Sequence, residues 1–135
     1  MEGQKAQAAR RPSAQPEGSL DLNAAADELL AEAGRLRSGR SGRTLTPGRG
    51  TRVKQSLLAL KAGQRLQEHP APGVTTLLGV RGTAVLHHPG ESVTLSEGVW
   101  AACPTEPHSV EATSDTVVLI TVAHESERAA QSEPQ

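Results

Sequence analysis

Two textures divide this chain. Over residues 20–37 apolar side chains recur at helical intervals: Leu22, Ala26, Leu29, Ala33 and Leu36 step by 4, 3, 4 and 3, one stripe on one helix face. Asp21 or Asn23 can cap the start, and Asp27 and Glu28 fall in the early turns, where the helix dipole favours acids. Arg35, Arg37 and Ser38-Gly39 mark the end. A helix of this length is marginal alone in water, so the stripe needs a surface to lie on. From Val53 to Ala123 the pattern changes to short apolar runs broken by turn residues, the spacing of a sandwich or barrel. It predicts strands at 55–61, 75–80, 83–87, 92–95, 99–102, 108–112 and 116–123. Residues 57–60 and 117–120 are apolar throughout, which predicts strands covered on their outer face by the helix or by a second subunit. No helix of useful length fits among these runs, so the expected class is all-β, one barrel preceded by one amphipathic helix.

The remaining segments read as connections and tails. Residues 1–18 and 125–135 are polar, with too little apolar surface to offset the entropy of ordering, and are expected to be disordered. Residues 38–52 form a Gly/Ser/Arg linker in which Thr44, Leu45 and Thr46 can add a short edge strand. The organisation is therefore a tail (1–18), a helix (19–37), a linker (38–52), a barrel (53–124) and a second tail (125–135).

Charge sharpens this division. The 135 residues carry 14 Lys and Arg against 15 Asp and Glu, a net −1. That balance hides a block at 33–67 with nine bases and no acid, and a stretch at 68–135 with net −7. The basic block can be a phosphate-binding arm, but its glycines prevent the charges from lining one helix face, and opposite charge nearby draws it onto the acidic barrel. With one aromatic residue, the chain lacks the stacking platforms of single-stranded nucleic-acid binders, and a nucleic-acid partner is not expected. One cysteine excludes a disulfide framework within the chain and fits a reducing compartment. No apolar run approaches a membrane span and the polar start has no signal-peptide core, so a cytoplasmic location is expected.

Two segments carry a resemblance. Gly63, His69 and Gly82 stand at the spacings of the first cupin motif, and Gly98, Pro104 and His108 at those of the second, with its turn one residue shorter. About 15 residues separate the motifs, as in small single-domain bacterial cupins, and the chain from 53 to 123 resembles such an RmlC-like barrel. The helix and Arg/Gly linker ahead of it are similar to those of small actinobacterial cupin-domain proteins. The resemblance implies a cupin double-stranded β-helix, or jelly roll, commonly dimeric, with a small-molecule pocket at the barrel mouth. Many cupins hold Fe, Mn, Ni, Zn or Cu there with three His and one Glu. Here the second His position is Ala71 and the Glu position is Thr75. His69 and His108 remain, with Cys103 as a third donor of the kind Zn or Cu accepts.

The ligand pocket is accordingly expected to hold His69, His108, Thr75 and Trp100, with His69, His108 and Cys103 as the set for a divalent metal if one binds. His87 and His88 sit at a hairpin tip, where only one can face inward. Trp100 can wall the pocket, fill a dimer seam or close the barrel end; packing is the favoured role. Cys103 can pair with His108 as a nucleophile, but beside Trp100, Ala101 and Ala102 it reads first as a small buried hydrophobe. The expected function is a non-catalytic ligand-binding or regulatory barrel with a degenerate metal site and no required cofactor. The alternatives are a metal-dependent oxygenase or isomerase on His69, His108 and a third ligand, or an interaction module that works through the helix or the basic block.

Overall fold

The strands sort their side chains by parity onto two faces, and the faces that exclude water define two opposed sheets. The structure, a computed structural model, describes residues 18–46, 52–68 and 74–124. In chain order the elements are α1 (Leu22–Arg35), β1 (Arg40–Thr44), β2 (Val53–Leu60), β3 (Arg65–Glu68), β4 (Val74–Arg81), β5 (Ala84–His88), β6 (Glu91–Leu95), β7 (Trp100–Ala102), β8 (His108–Ala112) and β9 (Thr116–Ala123). A five-stranded sheet runs β1-β2-β9-β4-β7 and a four-stranded sheet runs β3-β8-β5-β6. Every paired neighbour is antiparallel. This is the double-sheet jelly roll expected from the sequence. Its core lies between the sheets, where Leu60, Leu77 and Ala101 meet Leu86, Leu95 and Val110.

The apolar runs at 57–60 and 117–120 have both faces covered, as their composition requires. Leu58 and Ile120 face the inter-sheet core, while Leu57, Ala59, Val117 and Leu119 meet α1 on the outer face of the large sheet. The helix therefore packs on its own barrel. Ala25, Ala26, Leu29 and Ala33 are its buried residues, and small side chains there let the helix approach closely. Asp21 is the N-cap: its carboxylate accepts from the backbone N–H of Asn23 and Ala24.

Four details differ from the sequence reading. The helix stops at Arg35, so Leu36, expected in the buried stripe, is an extended C-cap residue and 48% exposed. Asp27 and Glu28 lie beyond the first turn, so they serve side-chain partners rather than the dipole. Asp27 accepts from Arg81 at 2.7 Å and Glu28 from Arg43 at 2.8 Å, one on each flank of the helix, and Glu32 accepts from Ser41. The linker assigned to 38–52 contains β1, which pairs with β2 from Arg40↔Leu60 to Thr44↔Ser56. Its sequence, Arg-Ser-Gly-Arg-Thr, has no apolar side chain; neighbouring backbone and the acids of α1 hold it in place. Finally, β3 falls outside the strands that the pattern predicts, because Arg65, Gln67 and Glu68 leave Leu66 as its one apolar residue. Both predicted tails (save Gly18) and residues 47–51 lie outside the described residues.

One end of the barrel is closed by three turns tied together. The Asp115 carboxylate accepts from Lys61 Nζ at 2.7 Å and from the Ala62 N–H at 2.9 Å. The Thr83 carbonyl accepts from the Thr113 N–H and from the hydroxyls of Thr113 and Thr116, and the Thr83 N–H donates to Ser114 Oγ. The bond from Lys61, with help from Ala62, holds the Asp115 carboxyl below its ordinary value. A folded-state pKa below the unfolded one adds stability above the ordinary carboxylate range and loses it as pH falls through the folded value. Asp115→Asn is therefore expected to lower the melting temperature at neutral pH. With both partners about 40% exposed, the effect is less than about 1 kcal/mol. Melts at neutral and strongly acidic pH check this: the gap from the unmodified protein closes in acid, and a gap of constant size refutes the assignment.

Candidate functional site at the open end of the barrel

The opposite end gathers the motif residues. Chain connectivity puts the end of β3, the start of β4, the end of β7 and the start of β8 at one mouth. Register supports this, since Glu68 pairs with His108. His108 opens β8 on the inner face, with the parity of Val110 and Ala112. It is 6% exposed, and its Nδ1–H donates to the Glu106 carbonyl at 2.9 Å. A carbonyl only accepts, so Nδ1 carries a proton, and in the neutral form of the ring Nε2 is the lone-pair nitrogen. The short 103–107 connection thereby fixes both ring orientation and tautomer.

Across the mouth, Thr75 has the parity of Leu77 and so lies on the inner face of the large sheet. Its carbonyl accepts from the Cys103 N–H at 2.8 Å, which docks the end of β7 onto β4. Cys103 is half-buried against the inter-sheet core, as expected of a small hydrophobe. Ile120 and Val122 continue this wall, both half-buried. Among the described residues, the inner face is fully buried at Leu60, Ala84 and Ala112 and half-buried at Thr75, Ile120 and Val122, with His108 buried beside them.

The two hairpin histidines separate by parity. His87 lies on the outer face, where its Nε2 meets Glu111 Oε1 at 3.0 Å. His88 shares the parity of Ala84 and Leu86 and ends β5 on the inner face. The β5–β8 register stops at His87↔Ser109, one step before His88 would stand opposite His108. His88 also pairs in register with Glu91 of β6. The sequence showed that only one of the two histidines could face inward; the strand limits of β5 decide which.

Trp100 departs from the expected pocket. It pairs with Leu78, whereas its neighbour Ala101 pairs with the buried Leu77. Trp100 therefore lies on the outer face of the large sheet, 61% exposed, with the sheet between it and the mouth. The cause is the period of two along β7: burying Ala101 turns residue 100 outward. His69 and Ala71 lie outside the described residues. A cavity of about 540 Å³ also lies away from the mouth, outside the large sheet, against Leu20, Leu22, Leu45 and Gln55.

The donor set can be compared with the metal centre that the cupin resemblance implies. Ala71 brings no donor and Thr75 brings a neutral hydroxyl where a carboxylate is required. Among the described residues, no three His, Cys, Asp or Glu side chains group to hold a metal ion. The residues present do not fit the three-His, one-Glu centre.

No protein-family profile matches this chain, and no curated protein matches it in sequence. Solved structures do. A conserved protein of unknown function from Streptococcus pyogenes superposes with a TM-score of 0.58 at 22% identity, over 67% of this chain and 78% of that one. The cupin-2 domain of an XRE-family transcriptional regulator from Enterobacter cloacae gives 0.58 at 14% identity, over 64% of this chain and 97% of that one. Salicylate 1,2-dioxygenase from Pseudoaminobacter salicylatoxidans, in adducts with gentisate, gives 0.61 at 18% identity, over 72% of this chain but 31% of that longer one. The fold is the cupin jelly roll. Its neighbours range from an enzyme to a regulatory domain, so the fold does not carry the chemistry. Among the described residues, no helix is long and apolar enough to cross a membrane.

Proposed function

We propose that this barrel is a non-catalytic binding domain for a small, mostly apolar organic molecule, taken up at the open end. The observation that carries the reading is the character of that end. Ile120, Val122 and Cys103 form a half-buried apolar wall, and Thr75 and His108, its ring held through Nδ1 by the Glu106 carbonyl, supply oriented polar atoms beside it. Such a pocket holds a ligand by shape, with a hydrogen-bond donor of the ligand meeting His108. The loss of two metal-ligand positions supports binding over oxidation chemistry. The same fold occurs as a cupin-2 domain within a transcriptional regulator, which is compatible with a barrel that binds without catalysing.

Elemental analysis of the purified full chain, paired with thermal-shift screening of small aromatic and aliphatic acids, alcohols and amides, tests the reading. The expected result is no stoichiometric metal and at least one compound whose stabilisation weakens ten-fold or more in His108→Ala. Stoichiometric iron, manganese or zinc that is lost in His108→Ala would overturn it in favour of a metal-dependent oxygenase or isomerase using His108 and His69.

A further inference from the structure

The start of β2 brings part of the basic block of the sequence to the barrel mouth, since Val53 and Val74 both pair with Ala123. Lys54 has the parity of Ser56 and Leu58. Leu58 packs on the inter-sheet core, so Lys54 lies on the inner face of the large sheet. Register extends it into a row. Lys54 stands opposite Val122, Val122 opposite Thr75, and the Thr75 carbonyl accepts from the Cys103 N–H. This row lies one step outward from Ser56, Ile120, Leu77 and Ala101. The ladder continues past the strand ends. The His124 N–H donates to the Arg52 carbonyl at 2.7 Å, which sets Arg52 opposite His124 with the parity of Lys54 and Val122. Arg52, Lys54 and His124 therefore gather where β2 enters and β9 leaves the barrel.

The cations that brace the barrel have partners. Arg43, Lys61 and Arg81 pair with Glu28, Asp115 and Asp27, and Arg65 donates to Ser109. Arg52 and Lys54 are exposed and make no ion pair among the described residues. Arg40 makes none either, but it stands opposite Leu60, at the closed end. The apolar surface beside Lys54 is in place: Val122 adjoins it in the row and Ile120 lies one step inward, both half-buried. An unpaired cation next to an apolar wall is the complement of a molecule with an apolar body and one anionic head.

We propose that the ligand of the mouth is an organic monocarboxylate, its carboxylate held by Lys54 with Arg52 and its apolar body directed inward along Val122 and Ile120. This rests on the reading of the mouth as a small-molecule pocket, and adds the charge of the ligand and its orientation. The head lies outward on β2 and the body points toward the core. Glu68, Glu91 and Glu106 belong to the small sheet or to the connection that enters it, so the carboxylate is drawn to the large-sheet wall. Because Lys54 is exposed, the ion pair adds selectivity for acids over neutral molecules of the same shape, and burial of the body supplies most of the affinity.

Isothermal titration of the full chain with benzoate and hexanoate, and with benzamide and hexanamide as neutral counterparts, tests this. At low salt each acid is expected to bind about five-fold tighter than its amide, and the gap to narrow as salt screens the exposed head. Lys54→Gln is expected to weaken acid binding about five-fold, with amide affinity and the ligand-free melting temperature unchanged; Arg52→Gln acts in the same direction more weakly. His108→Ala weakens acid and amide alike. Amides that bind as tightly as the acids would overturn the carboxylate assignment and leave the pocket standing. So would a gap that survives in both Lys54→Gln and Arg52→Gln. Failure of both acids to bind also overturns it, and where the wider screen of neutral compounds yields nothing either, the pocket reading falls with it.

Discussion

Gly82→Ala is expected to remove most of the stability of the barrel, by about 4 kcal/mol or more, and to lower the melting temperature by roughly 15–30 °C. Two effects act together. The residue has φ +73°, in the left-handed region that costs a non-glycine residue about 1–2 kcal/mol. More severely, a Cβ there would stand 1.9 Å from the Asp115 carbonyl oxygen and 2.9 Å from its carbon. Both are backbone atoms, so no rotamer change relieves the overlap. The β8–β9 turn would have to move, and it is bound to Thr83 and, through Asp115, to Lys61 and Ala62. Opening it loosens the closed end of the barrel. Gly63→Ala is the matched control. It shares the left-handed backbone, at φ +91°, but has nothing within 4 Å of the added carbon, so it is expected to cost only the strain, about 1–2 kcal/mol. Thermal melts of the two variants decide the matter. Equal losses would mean that the approach to Asp115 contributes nothing.

Removing α1 by deleting residues 1–38 is expected to give an insoluble or unfolded barrel. Leu57, Ala59 and Val117 are 0% exposed in the intact protein, and with Leu119 they would face water. Each large apolar side chain so exposed costs about 1.5–3 kcal/mol, and the sum rivals the whole stability of a small domain. The deletion also leaves Arg43 and Arg81 without Glu28 and Asp27. Leu29→Ala is the milder test. Leu29 is buried at the centre of this contact, and truncating it is expected to cost about 2–4 kcal/mol, read as a shifted denaturant midpoint in the full chain. A soluble barrel with native dichroism after the deletion would make α1 a separable recruitment module.

Much of this architecture is legible in the residue pattern. The helix stripe, the cap at Asp21 and the two-faced runs at 57–60 and 117–120 each follow from which side chains avoid water and at what interval. The strands predicted at 108–112 and 116–123 match β8 and β9 in their limits. Where the pattern was silent, the strands carry little apolar content. β1 has none and β3 has Leu66 alone, and both are held by pairing with β2 and β8. Such pairing is a property of the neighbour, so a single strand's composition does not report it.

The site divides along the same line. His108 and Thr75 were identifiable by motif spacing and Cys103 by its donor chemistry, and the structure places the three at one end of the barrel on the inner faces. Trp100 was misplaced because composition marks it as a large apolar group without saying which way it turns; the burial of Ala101 decides that. His88 stayed undetermined because the choice between adjacent residues depends on strand parity. By itself, then, the sequence determined the class of fold and the need of α1 for a surface, since these depend on residue type and local period. The tertiary structure decided which surface α1 covers, which histidine faces inward and that the lone tryptophan stands outside the barrel. Those outcomes depend on register and on which strands are neighbours, and distant parts of the chain set both.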